Sequence, residues 1–172
     1  MGTSKVDAQS LKRELLDAFA DTTDPGDGNL SDSADGAERD KVARLFAGKR
    51  RQDWLDRPLQ MLQEGDYCQN IFFLSAPAYQ HFLPIFLLAS IFERLEAEAI
   101  PDQVYATLTR PSDPRDLGEY SRRVGRLSRA QLSIVAKVLR YLLDTSESKG
   151  ERANIPKALE SVEALIREKE GS

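Results

Sequence analysis

The chain has 172 residues, enough for one domain with a proper core and too few for two comfortable ones. Its hydrophobic share of 41% and charged share of 30% are ordinary for a globular protein and exclude wholesale disorder. The formal charge of −4 is unevenly spread: residues 1–40 hold four Lys or Arg against ten Asp or Glu, and no global positive field exists to gather nucleic acid or an anionic membrane.

Ser4 is placed to cap a first helix, in which Leu11, Leu15, Leu16 and Phe19 share one face, ending near Ala20. Residues 21–36 carry Pro25, three glycines and five aspartates and read as an acidic flexible loop. Asp35 is the expected N-cap of a second helix, with Glu38 at its third position and Val42, Leu45 and Phe46 as its buried stripe, ending near Gly48. Trp54 and Leu55 fall in a connector, and Pro58 suits the first turn of a short helix ending at Gly65. Ile71 to Leu74 reads as extended chain or a loose turn.

Ser75 caps a central helix expected to run to about Ala97, with Pro84 kinking or breaking it near Leu83. From Ile71 to Phe92 there are 22 residues without a charge, about the length that spans a bilayer, but Pro77, Pro84, Gln80 and His81 interrupt it. A buried core helix is the better reading, and no membrane span is expected. Pro101 opens a short helix, and residues 111–118 form a loop. Ser128 and Gln131 make a capping box for a helix with Leu132, Val135, Leu139 and Leu142 along its stripe. A last helix follows Asn154, with Pro156 in its first turn. Helix formers dominate and no stretch alternates apolar with polar. The expected fold is therefore all-α: one compact helical domain over residues 1–172, with about six to eight helices and a kinked central one.

Candidate chemistry is sparse. Counting from Asp27, oxygen ligands fall at positions 1 (Asp27), 3 (Asn29), 5 (Ser31), 9 (Asp35) and 12 (Glu38), the spacing of an EF-hand calcium loop. Asp32 stands where that loop needs its turn glycine and Ala34 where it carries a branched apolar residue, so the plain alternative is a solvated acidic linker. Arg122, Arg123, Arg126 and Arg129 form a basic group able to contact an anion or an acidic partner; ion pairs on a solvated helix face are the alternative. Cys68 and His81, the single cysteine and the single histidine, are the sole residues from which a Cys–His dyad could be built, and His81 between Gln80 and Phe82 also reads as a core histidine. One histidine excludes a three-histidine zinc site, and no phosphate-binding or dinucleotide fingerprint occurs. The aromatic set Trp54, Tyr67, Phe72, Phe73, Tyr79, Phe82, Phe86 and Phe92 reads chiefly as core.

The stretch Phe73-Leu74-Ser75-Ala76-Pro77-Ala78-Tyr79-Gln80-His81-Phe82-Leu83-Pro84-Ile85-Phe86-Leu87 resembles the signature of a small bacterial family of unknown function. Trp54 upstream and Leu127-Ser128-Arg129-Ala130-Gln131 downstream fit that resemblance, which spans roughly residues 40–145; Ala76-Pro77-Ala78 departs from the proline–glutamate–alanine of the signature. The resemblance implies a compact helical bacterial protein and transfers no activity and no catalytic residue.

With no cofactor motif and no catalytic motif, the expected role is a non-catalytic protein-interaction module, of which an immunity- or antitoxin-like protein is one form. Its partner is then another protein, with nucleic acid disfavoured. The alternative is a small-molecule or calcium-responsive binding module, and a Cys68-dependent enzyme comes third. A single cysteine and a charged segment running on from Met1 without an apolar stretch agree with the cytoplasm.

Overall fold

The computed structural model describes residues 7–63 and 68–171, with side chains for 7–63 and 71–171. Among them are eight α-helices and no strand: α1 (Ala8–Ala18), α2 (Gly36–Phe46), α3 (Pro58–Gln63), α4 (Ala76–Phe92), α5 (Ile100–Leu108), α6 (Leu117–Arg123), α7 (Arg129–Thr145) and α8 (Lys149–Glu170). Short 3-10 turns at Asp27–Asn29, Arg51–Trp54 and Cys68–Phe73 join them.

The centre of the molecule is α4. Twelve of its seventeen residues are buried, on every side of the helix, which is why its sequence is apolar all round and lacks a one-sided stripe. It packs against α1, α3, α5, α6 and α7, while α8 lies along α7 and α5. Phe46 of α2 meets Phe82 at 4.7 Å and Phe86 at 6.3 Å between ring centroids, in tilted geometry. Pro84 lies inside α4, and the helix runs through it without a break. Its surroundings stay apolar and close-packed, so the one backbone hydrogen bond that proline forfeits does not end the helix. No helix among the described residues is long and apolar enough to cross a membrane.

Caps read from the sequence hold at three helices. Ser75 Oγ accepts from the Ala78 N–H at 3.2 Å, Asp35 Oδ1 accepts from Ala37 at 2.8 Å, and Ser128 with Gln131 closes a full capping box. Three boundaries differ. Asp7 caps α1, while Ser4 lies outside the described residues, as does Gly65 beyond α3. The last helix starts at Lys149, where the Ser148 hydroxyl accepts from Glu151, so Pro156 sits in its interior; packing along α7 carries it through. The central helix stops at Phe92, five residues short of Ala97. Glu93 leaves helical geometry there, and its carboxylate accepts the Leu59 N–H at 2.9 Å, supplying the first turn of α3 with an acceptor.

Candidate functional site

The expected calcium ligands do not converge. The Asp27 carboxylate accepts the Gly48 N–H at 2.9 Å, Asn29 donates to the Pro25 carbonyl at 3.1 Å, and Ser31 Oγ accepts from Ser33. Asp35 is occupied as the cap of α2, and Glu38 accepts from Ser33 Oγ at 2.6 Å. Among the described residues, no three of His, Cys, Asp and Glu are grouped to hold a metal ion. The loop is instead tied to the core: Leu30 is buried, its carbonyl accepts the Ser75 N–H at 2.9 Å, and Ser75 Oγ donates to the Asn29 carbonyl.

The four arginines part company too. Arg122 bridges to Asp32 at 3.1 Å, and Arg123, nearly buried, is held by Glu119 at 2.5 Å. Both line a cleft of about 620 Å³ between α6, the end of α5, Phe72–Phe73 and the 32–38 segment. Arg126 donates to Gln80 at 2.9 Å in a separate hollow, and Arg129 pairs with Glu170 at the end of α8. The short helix α6, which sequence periodicity does not reveal, is what turns Arg122 and Arg123 into this cleft.

His81 is 4% exposed, and neither ring nitrogen has a hydrogen-bond partner. Burial, and then the Arg51 guanidinium, hold its pKa below the ordinary 6.5, against weaker opposing pulls from Asp24 and the Thr22 backbone. Arg51 itself ties the end of α1 to α4, donating to the Phe19 carbonyl at 2.9 Å and to the His81 carbonyl at 3.0 Å. The Cys68 side chain lies outside the described residues, as does Tyr67 of the aromatic set. Tyr79, Phe82 and Phe86 are core as expected.

The surface also carries a feature that sequence patterning does not reveal. Among the described residues the exposed large apolar side chains are Phe92, 40% exposed, and Leu95, 89% exposed, and they stand three residues apart where α4 ends. Lys12 lies 5.9 Å from the centroid of the Phe92 ring and is itself paired with Asp56 at 2.6 Å. Between Phe92 and Ile100 the single basic residue, Arg94, turns inward. It donates to Glu151 at 3.0 Å, to Thr145 Oγ1 at 3.1 Å and to the Leu142 carbonyl at 2.6 Å. Glu96 and Glu98 stay exposed. Glu98 also adopts φ of 49°, the single non-glycine residue with positive φ among those described. The corner at residues 92–98 is thus an apolar knob with carboxylates around it, set on a turn that carries backbone strain. A lone leucine in the run Glu93-Arg94-Leu95-Glu96-Ala97-Glu98 was the available signal, hidden by extending the helix to Ala97.

The chain matches the model of a family of unknown function, DUF6714, over residues 7–164, and it belongs to that family. The match takes in α1, the acidic loop and most of α8 as well as the 40–145 stretch of the motif resemblance. No curated protein and no solved structure matches the chain.

Proposed function

We propose that this chain is a non-catalytic protein-interaction module, and that the corner at Phe92–Glu98 is its contact face. The carrying observation is the 89% exposure of Leu95 beside the 40% exposure of Phe92, on a surface whose other large apolar side chains are wholly or partly covered among the described residues. An apolar side chain held out on a short turn is positioned to enter a partner's pocket, where its burial supplies binding energy without any catalytic group. The acidic balance of the chain agrees with a neutralising role against a basic protein, of the immunity or antitoxin kind, in the cytoplasm. The test is a pair of affinity purifications from native lysate, with the wild-type chain and the Leu95→Ser variant as bait. A stoichiometric partner held by the first and lost by the second supports the reading. A partner held equally by both, or none, removes it.

A second reading rests on the cleft beside α6. Its volume of about 620 Å³ falls in the range of small-molecule sites, and Phe72, Phe73 and Tyr120 give it aromatic walls beside Arg122 and Arg123. A thermal-shift screen of small metabolites tests it: a ligand whose stabilisation disappears in Arg123→Gln would favour this cleft over the corner.

A further inference from the structure

We infer that the partner seated on the Phe92–Glu98 corner presents an apolar pocket rimmed by lysine or arginine. The inference rests on the protein-interaction reading above and adds the chemistry of the opposite surface.

The charged groups seen in contact with the corner leave a one-sided balance. The positive charge of Lys12 is met by Asp56, and that of Arg94 by Glu151, whose side chains are 18% and 13% exposed and so face the protein. The Glu93 carboxylate holds the Leu59 N–H and has no basic partner among the described residues. Glu96 and Glu98 form no ion pair with any described residue. A partner closing over Leu95 must take these carboxylates partly out of water, which is unfavourable unless it brings opposite charge to them. Basic groups around an apolar pocket meet both demands: the pocket covers Leu95, and the rim offsets the desolvation of Glu96 and Glu98.

Other occupants fit less well. In a symmetric pair of copies the corner meets itself, setting Glu96 and Glu98 against their own counterparts. An anionic membrane surface would be repelled by the same carboxylates.

The experiment uses the full chain immobilised as bait for a phage-displayed library of random constrained peptides, after depletion on Leu95→Ser. Leu95 is almost wholly exposed, so the variant keeps its fold, which circular dichroism verifies. Expected are wild-type-specific peptides pairing apolar residues with Lys or Arg. Their binding weakens about ten-fold or more in the double variant Glu96→Lys/Glu98→Lys and falls with added salt. Wild-type-specific peptides that are neutral or acidic, or that bind the double variant equally well, overturn the basic rim and leave the contact face standing. No wild-type-specific peptide at all overturns the contact face with it. Sedimentation of the free chain gives the remaining outcome: a concentration-dependent dimer dissolved by Leu95→Ser seats a second copy on the corner and refutes the inference.

Discussion

The cluster around Glu151 is where a single substitution should report most directly on how the corner is held. Glu151 accepts from Arg94 at 3.0 Å and from the Tyr105 hydroxyl at 3.1 Å through one oxygen, and from Ser146 Oγ at 2.6 Å through the other. It thereby joins the turn after α4 to α5, to the end of α7 and to the first turn of α8. Removing one partner of a fully buried ion pair costs about 3–5 kcal/mol. Here Arg94 keeps the Leu142 carbonyl and Thr145 Oγ1, and both side chains of the pair retain some solvent contact. Glu151→Ala is therefore expected to cost about 2–3 kcal/mol, which for a chain of this length lowers the Tm by about 5–10 °C. Glu151→Gln keeps an acceptor and the packing, and should lose about 1 kcal/mol less. Urea unfolding followed by circular dichroism measures both. Arg94→Leu and the double variant complete a cycle in which the double variant is less destabilised than the sum of the singles by about 1 kcal/mol or more. A Glu151→Ala cost within about 0.5 kcal/mol of zero, the size of an ordinary surface substitution, or a vanishing coupling, would show that the pair holds nothing in place.

Three further outcomes follow from other sites. His81 is buried neutral and its pKa is depressed, so folding excludes its proton; the stability it allows is complete above 6.5 and drains away as pH falls from there. Stability measured by urea unfolding between about pH 7 and pH 5 should fall in the wild type and fall distinctly less in His81→Leu, and equal slopes would refute the account. Glu98→Gly relieves the left-handed backbone and should raise stability by about 0.5–1 kcal/mol in a thermal melt, while Glu98→Val lowers it. Ser75→Ala removes both the cap of α4 and the tie to the Asn29 carbonyl, for an expected loss of about 1–2 kcal/mol by urea unfolding; protease cleavage within residues 21–30 should accelerate in parallel.

Much of this fold is local, and so the sequence by itself determined it. Ser75, Asp35 and Ser128 mark helix starts because a side-chain oxygen reaches the N–H groups two or three residues ahead, whatever lies elsewhere in the chain. The apolar run from Phe82 to Phe92 declares a buried helix for the same reason: no partner need be known to see that it must be covered. Helix ends and charge pairing answered to distant residues instead. α4 stops at Phe92 because Glu93 finds the first turn of α3, thirty-four residues earlier, and α8 starts before Asn154 because its surface fits α7 and α5. The acidic loop offers calcium spacing along the chain, yet Asp27 turns to Gly48, Glu38 to Ser33 and Asp35 to the start of α2. The four arginines look like one basic group in sequence, and Asp32, Glu119, Gln80 and Glu170 divide them. Leu95 looks like one more core leucine until tertiary structure turns Arg94 inward and leaves the leucine outside, since which neighbour of a turn is buried depends on what the rest of the chain brings up against it.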